Sequence, residues 1–180
     1  MKYMMTILLI STLLSAGCAN VPTSEDAPTG EPYQLQSKYW DGLLARRVGP
    51  ASVYLEIEQQ GADLKGDFYF LGDRSFAGKF EGKIGSETAE IVLKAPEGNA
   101  YSDITLRLKV NEVCTPGEAQ EARKWITVVN DGKVPEKFKT KQIQKMGANA
   151  KYTFNGKEEM LIGFLFETVQ QSEQLKRKSK

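Results

Sequence analysis

The segment LKGDFYFLGDRSFAGKFEGKI, residues 64–84, places its glycines in step with its aromatic residues. Gly66, Phe68 and Phe70 share one parity, and so do Phe76, Gly78, Phe80, Gly82 and Ile84. Period two marks half-buried strands. An odd connection around Gly72-Asp73-Arg74, of three or five residues, sets Phe68 opposite Gly78, Gly66 opposite Phe80 and Leu64 opposite Gly82. Each ring then covers the gap left by a glycine on the next strand, an arrangement that suits a strongly coiled sheet. A two-residue loop would put phenylalanine and Lys79 on one face and is rejected. A register slipped by two, with Phe68 against Phe80, stays open.

The pattern extends in both directions. Val53, Leu55 and Ile57 alternate with Tyr54, Glu56 and Glu58. With Gly61-Ala62 as a two-residue type II′ turn, Ile57 faces Gly66, Leu55 faces Phe68 and Val53 faces Phe70. The even connection Gly85 to Thr88 sets Gly82 against Ile91 and Phe80 against Leu93, and Ile104, Leu106, Leu108 and Val110 alternate over 103–113. Trp40-Asp41-Gly42-Leu43-Leu44 reads as a strand before this meander, although 34–47 also admits a partly helical reading. Thr115 and Glu118 form a capping box with Pro116 at the first helical position. Ala119, Ala122, Ile126 and Val129 make one apolar stripe, so a helix is expected over 116–129. Strands resume around 138–145, 148–154 and 158–169.

The last hairpin leaves two readings. Asn155-Gly156 is a two-residue turn signal, but it sets Tyr152 and Phe154 opposite Glu159 and Lys157. A three-residue loop would instead match Tyr152 with Met160. The apolar runs Met160-Leu161-Ile162 and Phe164-Leu165-Phe166 point to a strand covered on both faces. The expected fold is mainly β: an up-and-down antiparallel meander closing into a barrel of eight or nine strands, with one packed helix. Closure removes the edges that would otherwise aggregate.

Residues 1–17 read as a secretory signal: Lys2, an apolar run from Met4 to Leu14, then small residues. That run is too short to span a bilayer, which takes ~20 residues. The ending Leu14-Ser15-Ala16-Gly17-Cys18 resembles the lipobox of bacterial lipoproteins, with Ser15 where leucine is more usual. The resemblance implies that Cys18 carries a diacylglyceryl thioether after cleavage before it; an ordinary signal peptide with a chance cysteine is the alternative. It further implies membrane attachment through the N-terminal lipid, and Ala19 in place of aspartate favours the outer membrane in a diderm host. Residues 18–38, with proline-rich ANVPTSEDAPTGEP at 19–32, read as the lipidated end and a flexible tether. The barrel domain is assigned to 39–170 and a basic tail to 171–180, where Lys176, Arg177, Lys178 and Lys180 most simply make a solvated end or else meet anionic lipid.

Lys plus Arg is 24 against 23 for Asp plus Glu, so no long-range field favours nucleic acid. The chain holds no histidine, which removes Ser-His-Asp and Cys-His catalysis and Cys/His zinc sites. No phosphate-cradling glycine motif occurs. A carboxylate pair for glycosidase-type acid/base work is the catalytic alternative left, but no cofactor, metal or catalytic residue is expected. Asp67, Glu56, Glu58 and Glu81 fall on the outer face, where they solubilise the sheet. Cys114, the other cysteine, reads as a small buried apolar residue.

Trp40, Gly42, the alternation Val53–Ile57 and the repeats Gly66-Asp67-Phe68 and Gly78-Lys79-Phe80 resemble the meander of lipocalin- and avidin-type barrels, and of small barrel domains in bacterial lipoproteins. That resemblance covers about a third of the chain and implies a non-enzymatic binding module. Its interior would comprise Val53, Leu55, Ile57, Phe68, Phe70 and Phe80, as core or as the lining for a small apolar ligand; bulky rings over glycines favour the filled state. The other expectation is an envelope assembly, interaction or enzyme-inhibitor lipoprotein that meets a protein partner through its loops and helix. Gly147-Ala148-Asn149-Ala150-Lys151-Tyr152 is faintly similar to the closing region of lipoprotein lysozyme inhibitors, although their early disulfide-bonded cysteine is missing here.

Overall fold

A computed structural model describes residues 27–46, 49–71, 75–123 and 142–168. Eight strands follow one another: β1 (Tyr39–Arg46), β2 (Gly49–Gln60), β3 (Asp63–Leu71), β4 (Phe76–Ile84), β5 (Thr88–Leu93), β6 (Ile104–Cys114), β7 (Ile143–Phe154) and β8 (Lys157–Thr168). Each pairs antiparallel with the next, and β8 returns to β1 to close the barrel. The fold is therefore the up-and-down barrel expected, with eight strands. Residues 39–46 form strand β1 and settle the question of a helix there.

The registers around residues 64–84 follow the alternation. Ile57 faces Gly66, Leu55 faces Phe68 and Val53 faces Phe70. Phe68 faces Gly78, Gly66 faces Phe80 and Phe70 faces Phe76, which rules out the slipped register. Gly82 faces Ile91 and Phe80 faces Leu93. Gly61 turns between β2 and β3 with a φ of +60°, the conformation a type II′ turn needs at its first central position.

Glycine is required on the inner face because neighbouring backbone and rings fill the space a side chain would take. A Cβ on Gly78 would lie 3.2 Å from the Phe68 ring, so ring and glycine interlock as the sequence implies. Gly78→Val forces that ring to shift and is expected to destabilise the barrel by about 1–3 kcal/mol, read by urea denaturation. No change in the midpoint would reject the pairing of ring and glycine.

The β7–β8 hairpin takes the two-residue turn. Asn155 and Gly156 have φ of +49° and +75°, the pair of positive values of a type I′ turn. Tyr152 then faces Glu159 and Phe154 faces Lys157. The charge opposite the aromatic residue is accommodated because the Tyr152 hydroxyl donates to Glu159 Oε2 at 2.7 Å. Where the sequence pattern divides this region into two strands, the structure has one, because Gly147 keeps its partners on both sides, Lys109 and Phe164.

One irregularity redirects the chain. Between Lys109 and Glu112 the β6–β7 register shifts, with Asn111 at a φ of +63°. Asparagine enters this region more readily than most residues. The bulge turns Cys114 from the inner parity of Leu106 and Leu108 to the outer face, where it pairs with Ile143. There Cys114, Ile143 and Phe166 form a second, smaller core with Ala119 of helix α1 (Pro116–Arg123), and Phe164 packs beside it. The C-terminal half of β8 is thus covered on both faces. Nearer its start, Met160 and Ile162 on the outer face are 53% and 40% exposed. The remainder of the expected helix, 124–129, lies outside the described residues.

Helix α1 begins with the capping box read from the sequence. Glu118 Oε2 accepts from the Thr115 backbone N–H (2.7 Å) and hydroxyl (2.9 Å), and the Glu118 N–H donates to Thr115 Oγ1 (3.3 Å). The Thr115 backbone and hydroxyl bonds hold the Glu118 carboxyl below its ordinary range. A depressed carboxylate stabilises the fold above its unfolded pKa and loses that contribution as pH falls through the folded one. Thr115→Ala should therefore cost about 1 kcal/mol at neutral pH. The difference from the parent should shrink as acid protonates Glu118, in paired melts over that range.

Candidate functional site

The six residues singled out as barrel interior sit together. Val53, Leu55, Ile57, Phe68, Phe70 and Phe80 all belong to one continuous buried cluster with residues of every other strand. None is more than 4% exposed. Their neighbours include Trp40, Leu44, Ile91, Leu93, Leu106, Met146 and Leu165, so each strand sends apolar side chains inward. The six pack as core.

Both barrel ends are covered by the chain itself. At one end, the segment between β5 and β6 brings Tyr101 over the opening, where it is 3% exposed. Its ring lies 5.3 Å from Phe70, 5.6 Å from Phe76, 5.5 Å from Tyr152 and 4.7 Å from Phe154. Backbone bonds hold the segment down: the Ser102 N–H donates to Thr153 O and the Asn155 N–H to Ala100 O, each at 2.9 Å. Lys94 pairs with Asp103 at 2.8 Å, and this bond, joined by the Ala95 N–H, keeps the Asp103 carboxyl below its usual range.

At the other end, residues 29–38 form a strap. The reading of 18–38 as a free tether is corrected for this part, because its backbone has partners on the barrel. Gln59 presents its amide to the strap much as a strand presents a peptide: Oε1 accepts the Leu35 N–H (2.9 Å) and Nε2 donates to Tyr33 O (2.8 Å). Gln144 Oε1 accepts the Gln36 N–H (3.1 Å), and Gln144 Nε2 donates to the Tyr33 hydroxyl. The Gln144 backbone N–H donates to Glu167 Oε1 (3.0 Å), and Ser37 Oγ to Thr168 O (3.1 Å). The Tyr33 N–H reaches Gly85 O (3.0 Å) and the Ser86 N–H reaches Thr29 O (2.9 Å). Lys38 lies 2.8 Å from Glu56, whose hydrogen bond raises the lysine above its ordinary value.

Sequence reading passed over these polar groups, although a signal was present. Gln59 shares the parity of Val53, Leu55 and Ile57; Gln144 that of Met146 and Ala148; Glu167 that of Leu161 and Leu165. A polar residue at a core parity near a strand end marks the rim of the barrel. Gln144→Ala removes both side-chain bonds to the strap and is expected to cost about 1–3 kcal/mol. Hydrogen exchange at Gln36 and Leu35 should accelerate with it; unchanged protection would mean that the strap is held elsewhere.

The outer face of β2 to β6 carries opposed charges. Asp67 pairs with Lys79 (3.1 Å), Asp63 with Lys83 and Glu90 with Arg107 (2.9 Å), each directly across neighbouring strands. The two exposed pairs, Asp67–Lys79 and Asp63–Lys83, contribute little to stability and keep the surface soluble, whereas Glu90–Arg107 is half-buried. Glu58 and Glu81 are exposed, as expected for the outer parity, whereas Tyr54 on the same face is buried, as is Asp41 of β1. Cys114 is buried and forms no disulfide among the described residues. Among the described residues no three His, Cys, Asp or Glu side chains are placed to hold a metal ion, and no helix is long and apolar enough to cross a membrane. Cys18 and the run 176–180 lie outside the described residues.

Comparison with known protein families, with characterised proteins and with solved structures finds no match to this chain.

Proposed function

We propose that this chain is a lipid-anchored, non-enzymatic envelope protein whose barrel serves as a rigid module for binding a protein partner. The observation that carries the choice of partner is the interior. The six inward residues are buried among the barrel's own side chains, and the strap and Tyr101 cover the two ends. A small-ligand carrier needs an apolar cavity of roughly 300 Å³ or more with a mouth. Binding therefore falls to the outside, where Met160 and Ile162 present apolar surface. The anchor rests on the lipobox-like Leu14–Cys18, and two or three acyl chains at Cys18 would hold the chain stably where one is marginal.

Two experiments separate the parts of this reading. Cys18→Ser should move the protein from the membrane fraction to the soluble fraction and abolish labelling by a fatty-acid analogue; retained membrane association would refute the anchor. Native mass spectrometry of the form starting at Ala19, purified from its host, reports on the partner. A recurrent protein adduct supports the proposal, and a stoichiometric small molecule would replace it with the carrier reading.

A further inference from the structure

We infer that the barrel end beneath the strap is a docking groove for an extended segment of a protein partner, which the chain's own residues 29–38 fill in the partner's absence. This goes beyond the outer-face surface proposed above and rests neither on that surface nor on the anchor. What lies in the groove shows its chemistry. Tyr33, Leu35 and Ser37 are half-buried while Gln34, Gln36 and Lys38 are exposed, so the strap runs with the period of a strand. Tyr33 and Leu35 pack against the main core. The barrel grips the strap by its main chain: Gln59 brackets Tyr33 O and the Leu35 N–H, and Gln144 takes the Gln36 N–H.

Gly85, in the β4–β5 turn, is a second and independent feature of the same groove. A Cβ there would fall on the Thr29 carbonyl oxygen, with Thr29 N at 2.6 Å. The Tyr33 N–H donates to Gly85 O at 3.0 Å. Two amides and a bare glycine thus cradle a passing backbone, and sequence is selected by two apolar side chains two residues apart. The occupant this suits is extended, with an aromatic, a polar and an aliphatic residue in the order Tyr33-Gln34-Leu35. The strap is a weak occupant. It belongs to none of the eight strands, and its two apolar side chains are only partly buried. Segments with few buried apolar contacts open at a cost below that of global unfolding. Because the strap precedes β1, lifting residues 29–36 leaves all eight strands paired.

The test uses the chain from Ala19 onward, which keeps the strap and every strand, and a labelled peptide of residues 29–38, TGEPYQLQSK. Tyr33→Ser with Leu35→Ser weakens the hold of the strap and leaves the groove intact. The peptide should bind this variant at least about 10-fold more tightly than the parent, where the tethered strap competes from within the same molecule. Adding Gln144→Ala should weaken that binding about 10-fold, and a peptide with serine at both apolar positions should not bind. Random ten-residue peptides selected on the variant should share the aromatic-x-aliphatic spacing. Absence of binding, equal affinity for parent and variant, retained affinity of the serine peptide, or selection of unrelated sequences would overturn the inference. Parent dimers that the peptide disperses would also overturn it, in favour of a second copy's strap as the occupant. Should the variant fail to fold, hydrogen exchange on the parent decides. Amides of Tyr33, Leu35 and Ser86 exchanging at least about 100-fold faster than those of the β2–β3 ladder would support release of the strap, and a common rate would overturn it.

Discussion

Gly66→Ala is expected to destabilise the barrel by at least ~3 kcal/mol, the upper end of overpacking costs. A Cβ at this position would lie 1.8 Å from Glu56 O and 2.9 Å from Glu56 C. Both atoms belong to the backbone of β2 and cannot swing aside as a side chain does. Relief needs the β2–β3 pair to spread, which breaks ladder hydrogen bonds or moves Ile57 and Phe80 off their neighbours. Gly78→Ala is the control. Its Cβ would meet the edge of the Phe68 ring at 3.2 Å and Lys94 O at an ordinary 3.7 Å, so a small ring shift suffices and the loss stays near 1 kcal/mol or below. Since small proteins are stable by about 5–15 kcal/mol, Gly66→Ala should shift the thermal midpoint down by several degrees. Equal midpoints for the two variants would show that β2 and β3 are not as close as the structure has them.

Phe68→Ala should cost about 3–5 kcal/mol. The ring is fully buried, packs edge-on against Phe76 at 5.6 Å and lies over Gly78. Truncation removes apolar burial and leaves a cavity in the middle of the barrel. The pairing also predicts the sign of a coupling. Gly78→Val clashes with Phe68 in the parent chain, and in the Phe68→Ala background the added methyl groups enter the vacated space. The double variant should therefore be more stable than the sum of the two single losses implies, by about 1 kcal/mol or more. This experiment bears on function as well. A loss of less than about 1 kcal/mol for Phe68→Ala would mean that the ring borders free space, as in a ligand carrier.

The registers of β2 to β5 were legible because every device that sets them is local. Val53, Leu55, Ile57, Phe68, Phe70 and Phe80 keep strict period two, and their hairpins are short. The parity of a connection then leaves few alignments with all large residues on one face. The capping box at Thr115 was equally readable, since its partners are three residues apart. Asn155-Gly156 held both the turn signal and a mispaired tyrosine. The conflict disappears once the Tyr152 hydroxyl reaches Glu159, a contact that parity alone does not reveal. The strap was misread because 18–38 is rich in proline and polar residues and has no apolar period. Its order comes from the Gln59 and Gln144 amides, whose sequence separation from the strap is too large for any local pattern to report.

The sequence by itself determined a chain of antiparallel hairpins with one apolar face and glycines where that face is most crowded. Alternation and turn chemistry act over a few residues and leave their record in the order of side chains. Only the tertiary structure decided that β8 meets β1, that a bulge at Asn111 turns Cys114 outward, and that the strap covers one end while Tyr101 covers the other. Those contacts join residues far apart in the chain. Their energies depend on twist and stagger accumulated over all eight strands, and no single hairpin carries that information.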